Sequence, residues 1–372
     1  MVRLRGQRHA HYRRLIVQPM KRVNVNRLGT DMGRTTKSVV ARWPVEEPLD
    51  LWRCVRDLMQ TLAIALLFGG DLEKGKPIGN LINQIATLSW SPSVNAFRLD
   101  VPGTPFAALL RRAEHLEQSI LDWARSKRGP VDPHDLLSII VNNTDENGLP
   151  PDDTLIAGHV PTLLGAAYET CQNVVIWSLL LLAGHPRIAE DLKDELGYNL
   201  KGEPASLDEL EKLTLLDHVV KESMRILPPV PNQYRVALAD TGLGDVTVRK
   251  GARAVLSAFA LNREPNLYPE PQRFRPNRWE TINPSPFEYA AFSAGPRGCP
   301  GFYFGISVVK VALATILSTY SIELIRNRSI GYRVGVTLRP FPGVPAVLHP
   351  LPNGRPPIPI DGKINRLVQF PS

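Results

Sequence analysis

The stretch that most constrains this chain is Phe292-Ser-Ala-Gly295-Pro-Arg297-Gly-Cys299-Pro-Gly301. It sets one cysteine in a tight Gly/Pro-rich loop, directly ahead of an apolar run from Phe302 to Leu317. Glycine at 295 and 301 permits positive φ and close backbone approach, so the loop can wrap a sulfur and present it outward. The apolar run repeats with helical periodicity and sets Cys299 at or just before a helix N-terminus, where unpaired N–H groups and the helix dipole stabilise a thiolate. Arg297 adds a fixed positive charge suited to an anionic ligand group. A buried structural thiol is the default for an isolated cysteine, but it does not account for Phe292, Gly295, Arg297 and Gly301 at these intervals. Zinc is disfavoured, because no second cysteine or histidine stands within ligand spacing of Cys299.

At 372 residues, 43% hydrophobic and 22% charged, the chain is large and apolar enough for a substantial core. Neither a low-complexity linker nor an internal repeat divides it, so a single domain over 1–372 is expected. Most of the 34 prolines follow residue 228, which predicts a helical part over about 1–227 and a loop- and strand-rich part over about 228–372. Cys54, Cys171 and Cys299 form no disulfide framework, which fits a reducing compartment and a cytoplasmic location. The longest apolar stretch, Val174 to Ala183, is too short to span a bilayer, and the basic N-terminus lacks an apolar signal region. No transmembrane segment is therefore expected. The net charge of +8 is concentrated at the start, where Met1 to Arg34 holds nine Lys/Arg against the single Asp31. No zinc finger, RNA-binding aromatic motif or basic zipper supports a nucleic-acid partner. A solvated helix face and a docking surface for an acidic protein both remain open.

The phrase F-x-x-G-x-R-x-C-x-G resembles the heme-binding signature of the cytochrome P-450 family and matches it at every fixed position. The resemblance implies that Cys299 is the proximal thiolate ligand of heme b iron, with Phe292 packed beside it. Gly295 and Gly301 would shape the loop, and Arg297 would pair with a heme propionate. The implied fold is mainly α with small β-sheets (α+β).

Four further elements follow the family's order, and together with the loop they cover about residues 6 to 345. Gly6-Gln-Arg-His9-Ala-His-Tyr-Arg13-Arg14 resembles the helix that crosses one edge of the heme. His9 and Arg13 lie four apart, share a face and would reach the propionates. In the family this helix follows N-terminal strands and helices, whereas here it begins at the first methionine. The chain therefore looks like a bacterial-type member shortened at its N-terminus, a change expected to leave apolar surface uncovered.

The longest helical pattern runs from Asp152 to Gly184 and contains Leu164-Gly-Ala166-Ala167-Tyr-Glu169-Thr170-Cys171. A Glu-Thr pair inside an apolar helix is costly unless satisfied or used. The segment resembles the family's central helix, with Glu169 and Thr170 matching the acid and alcohol that face the distal side of the heme. Ala167 replaces the usual glycine and Cys171 the usual second hydroxyl. A capped core helix kinked by Pro161 is the competing reading.

Glu222 and Arg225, three apart on one helix face, resemble the family's Glu-x-x-Arg pair. Arg278, in Phe274-Arg-Pro-Asn277-Arg278-Trp279, resembles the second arginine that locks it. The resemblance assigns the three to a structural network that holds the heme loop, with Asn277 standing where glutamate is common. Arg235 is a third propionate partner by the same comparison. Leu163, Ala166, Ala167, Val230 and Phe341 are expected to line the substrate pocket, Phe341 from a turn between the last strands.

Local patterns predict helices over 49–69, 80–88, 107–127 and 215–227, and a capping box from Ser206 to Glu209. They also predict a turn at 145–148, a hairpin over 246–255 around Lys250-Gly251, and strands over 321–324 and 333–338.

The implied activity is that of a monooxygenase inserting one atom of O₂ into an apolar organic substrate. No flavin or nicotinamide fingerprint is visible, so electrons are expected from separate proteins: a ferredoxin with its reductase, or a similar NAD(P)H-linked donor. A non-catalytic heme-binding remnant is one alternative. A peroxide-using or isomerising heme-thiolate enzyme is another, against which the Glu169-Thr170 pair argues.

Overall fold

Apolar periodicity becomes buried helix along most of the chain. In a computed structural model describing residues 4–89, 91–145, 148–200, 206–351 and 358–371, the principal helices are Gly6–Val17, Gly29–Val40, Leu51–Leu67, Leu72–Ser89, Pro105–Ser126, Leu136–Asn142, Asp153–Ala183, Pro186–Asn199, Thr214–Ile226 and Phe302–Thr319. Side-chain caps set several of their starts. Thr104 accepts from Ala107 N, Asp135 from Ser138 N and Asp152 from Leu155 N, while Ser206 and Glu209 form a reciprocal capping box.

The helix expected over 80–88 starts eight residues earlier, at Leu72, because the Asp71 carboxylate accepts from Lys74 N at 3.1 Å. Gly75 in its first turns lets the Ile64 methyl approach the backbone, where a Cβ would stand 2.0 Å from it. Of the turn expected at 145–148, Glu146 and Asn147 lie outside the described residues, and Gly148 N donates to Asp145 O at 3.1 Å.

Two compact units interleave along the sequence: Met1–Ala41, Arg56–Glu169 and Pro300–Val308 form the first, and Arg42–Val55, Thr170–Cys299 and Val309–Ser372 the second. In the first, Phe68 and Trp123 stack with ring centroids 4.3 Å apart. The second holds the sheets. Its three-stranded antiparallel sheet runs in the order Pro48–Asp50, Pro345–Pro350, Tyr320–Leu324. His349, 2% exposed, clasps that sheet, its Nδ1 2.7 Å from Glu46 and its Nε2 2.8 Å from Glu323.

Two strand expectations are corrected. Residues 246–255 do not form a self-paired hairpin. Val246–Val248 folds back on Thr241–Leu243 across Gly244-Asp245, and Arg253–Ser257 pairs with Asn232–Val236. The Lys250-Gly251 turn hands the chain to a different partner, since Gly251 N and Ala237 N bond across to Ala237 O and Ala252 O. Residues 333–338 likewise break at Gly335, whose N–H reaches Thr337 O, into the paired strands Gly331–Val334 and Leu338–Phe341.

By length and composition Asp153–Ala183 and Phe302–Thr319 could cross a membrane, but 72% and 61% of their most apolar windows are buried. They are core helices. Large apolar side chains are exposed on the small hairpins, with Tyr234, Leu238, Leu243 and Val246 each at least 60% accessible.

Candidate active site

The cysteine loop is built from backbone bonds. Cys299 N–H donates to Phe292 O at 2.8 Å, closing the loop, and Gly298 N–H to Gly295 O at 2.9 Å, closing a tight turn within it. Gly295 has φ +64 with no heavy atom within 4 Å of where a Cβ would stand. Ser293 holds φ 58 without being glycine, a strained conformation of the kind kept where surrounding structure demands it. The Ser293 hydroxyl donates to Gln233 Oε1 at 3.1 Å, and Arg235 Nη2 donates to that same oxygen at 3.3 Å. Arg235 is thereby brought to the loop through Gln233. Cys299 is exposed, and Phe292 and Arg297 are half-buried. Phe302–Thr319 begins three residues after the cysteine.

Within the same unit, the long helix contributes Thr170, half-buried, and Cys171, 5% exposed. Burial pushes the Cys171 thiol up to about 12; the nearby Cys299 sulfur adds to the rise, and a hydrogen bond with Thr170 opposes it. Cys171 and Cys299 thus lie within electrostatic reach of one another. Val230 follows Pro229, whose carbonyl accepts from Leu338 N at 3.0 Å, while Leu338 O accepts from the buried Trp177 indole at 3.0 Å. This joins the Val230 segment to the long helix and to the Gly331–Phe341 hairpin, whose bend exposes Val334 and Val336. Phe341 stands at the other end of that hairpin, 42% exposed and 4.0 Å from the Arg333 guanidinium.

His9, Arg13, Leu163, Ala166, Ala167, Glu169 and Gly301 belong to the first unit. His9 is 6% exposed, Ala166 is exposed, and Arg13, Leu163, Ala167 and Glu169 are half-buried. Tyr168, whose hydroxyl donates to Asn83, has its phenol pushed up to about 12 by burial and by the neighbouring Glu169 charge.

Glu222, Arg225 and Arg278 meet in one buried cluster. Arg225 forks onto Glu222 with Nε and Nη2 at 2.9 Å each, and Arg278 Nε reaches Glu222 Oε1 at 3.0 Å. Trp279 Nε1 and Arg275 N complete five donors to one carboxylate. Other guanidinium hydrogens go to the carbonyls of Asn262, Pro269, Glu270, Pro271 and Arg273. Arg263, half-buried, is brought down to about 9 by partial burial and by the Arg225 charge. The cluster fixes the 262–279 segment, and Asn262 Oδ1 accepts from Ala290 N just ahead of the cysteine loop.

The donor set fits heme. A single soft sulfur stands exposed on a loop with open space beside Gly295, and Arg235 and Arg297 supply cations for carboxylates. Among the described residues no group of three or more His, Cys, Asp or Glu could hold a metal ion.

A family model described as Cytochrome P450 matches residues 2–334. Cytochrome P450 4V2 of Mus musculus is 33% identical over 60% of this chain and 44% of its own length. Beta-amyrin 6-beta-monooxygenase of Solanum lycopersicum is 28% identical over 68% of this chain and 54% of its own. The chain thus spans about half the length of these curated relatives. Among solved structures, retinoic acid bound cyanobacterial CYP120A1 superposes with a TM-score of 0.85 at 21% identity, covering 94% of this chain and 80% of that one. At that identity the likeness speaks to the fold.

Proposed function

Because the chain belongs to the cytochrome P450 family, we propose that it is a heme-thiolate monooxygenase acting on an apolar organic substrate. The observation that carries the reading is the exposed Cys299 thiol, held by its own N–H on Phe292 O in a loop tied to Arg235 through Gln233.

The cofactor is heme b, which when bound supplies oxygen activation, one atom entering the substrate and the other leaving as water. Cys299 would ligate its iron as thiolate, with Phe292 packed beside the sulfur. Arg297, Arg235, His9 and Arg13 would hold the propionates as charge-assisted hydrogen-bond donors. Thr170 would pass protons through its hydroxyl, supplied from Glu169, the preceding residue. Leu163, Ala166, Ala167, Val230 and Phe341 would exclude water from an apolar substrate. The cations Arg13, Arg14 and Arg297 would attract an acidic ferredoxin or a similar NAD(P)H-linked donor.

Retinoic acid and β-amyrin are apolar probes suggested by the relatives. The test loads the protein with heme, supplies ferredoxin and its reductase, and turns over whichever probe shifts the Soret band under ¹⁸O₂. One labelled oxygen per product is expected. A product labelled only from water would overturn the reading.

A further inference from the structure

Beyond Asn173 the long helix is apolar as far as Leu182, except for Ser178, whose hydroxyl satisfies itself on Val174 O at 2.8 Å. Just before it stand two amides with no such outlet. Gln172 and Asn173 are 3% and 1% exposed, and among the described residues Gln172 Nε2, Asn173 Nδ2 and Asn173 Oδ1 meet no hydrogen-bond partner. Each such group, if dry, costs about 1–3 kcal/mol, and a leucine of similar volume would remove that cost. Native cores hold few of these groups, and each calls for a water, a ligand or a catalytic use. Asn173 lies three residues past Thr170, so their side chains share a helix face.

We infer that Asn173 is a positioning residue of the proton route: its amide, with one acceptor and two donors, holds a water against the Thr170 hydroxyl. A proton handed on from Thr170 Oγ to oxygen is then replaced by one from this water, which is in turn reprotonated from Glu169 and, through that carboxyl, from solvent. The inference rests on the monooxygenase reading.

Three variants test it: Asn173→Leu, Asn173→Ser, which can still hold a water, and Thr170→Ala as reference. In heme-free protein a dry, unused amide predicts that Asn173→Leu raises the urea midpoint, whereas a water-holding amide predicts an unchanged or lower one. In heme-loaded protein fed by ferredoxin and its reductase, Asn173→Leu should raise peroxide per NADH about tenfold, less than removing a proton donor itself. Asn173→Ser should restore the wild-type ratio, and all three should keep the thiolate-type spectrum of the reduced carbon monoxide complex. A raised midpoint together with an unchanged peroxide ratio would overturn the inference. If Thr170→Ala leaks peroxide and Asn173→Leu does not, Asn173 alone is excluded. If neither leaks, the Thr170 route fails with it.

Discussion

Replacing Glu222 by alanine tests what the buried cluster does. The side chains of Glu222 and Arg225 are fully buried and that of Arg278 is 5% exposed, so the substitution strands two guanidiniums away from water. Breaking a buried pair by removing one partner costs about 3–5 kcal/mol. Trp279 Nε1 and Arg275 N lose their acceptor as well, at about 1 kcal/mol or more each. The guanidinium bonds are already counted in the pair, so the total is about 5–7 kcal/mol, comparable with the whole stability of many domains. Glu222→Gln should fare little better. An amide nitrogen at the Oε2 position would face the Arg225 Nε and Trp279 Nε1 donors, and the cluster would hold two cations and no anion. The assay is urea unfolding of heme-free protein by tryptophan fluorescence and far-UV circular dichroism, with heme uptake as a second readout. Both variants should unfold at far lower urea or fail to accumulate. Glu222→Ala/Arg225→Ala should lose less than the sum of its single changes. A cost below about 1 kcal/mol for Glu222→Ala would refute the argument, since exposed pairs are worth that little.

Thiol reactivity at pH 8 should separate the cysteines of heme-free protein: exposed Cys299 is alkylated first and buried Cys171 resists, read by mass spectrometry. Because the folded state raises the Cys171 thiol from 9.0 to about 12, its contribution to stability is fully present below pH 9 and is lost as pH rises toward 12, visible as a falling urea midpoint. Asp217, despite the opposing effect of burial, is held below 3.8 by Lys221 and Lys310, so its contribution is present above that pH and lost as pH falls through the folded value. Asp217→Asn also removes the ion-pair partner of Lys310, whose side chain is only 8% exposed, and should cost about 3 kcal/mol at pH 7 but little in acid. Gly362→Ala should cost more than about 2 kcal/mol in urea unfolding, because φ is +122 and the new Cβ would meet Ile330 O and N at 2.4 and 2.6 Å. An unchanged midpoint would contradict that backbone path.

What the sequence made legible was local. Periodicity and caps marked most helices to within a few residues, and the 292–301 phrase pointed to the sulfur because an isolated structural thiol does not account for its glycines and arginine at these intervals. Partner choice was not legible. Val246–Val248 and Arg253–Ser257 both have strand character, but which segment each pairs with depends on where the Lys250-Gly251 turn aims the chain. The Gly244-Asp245 turn was the available signal for the first hairpin. Bonds between distant residues carried no local mark at all: Trp177 to Leu338, His349 between Glu46 and Glu323, and Gln233 beneath Ser293. Gln172-Asn173 was visible as polar letters in an apolar helix, but only the fold shows that both are buried.

The most direct measurement is the spectrum of the reduced, carbon monoxide-bound protein loaded with heme, recorded for wild type and for Cys299→Ala. Wild type should give the Soret band of a thiolate complex and Cys299→Ala should lose it, while Cys171→Ala keeps it. A wild-type protein that takes up heme without that band, or a Cys299→Ala protein that retains it, would contradict the assignment of Cys299 to the iron.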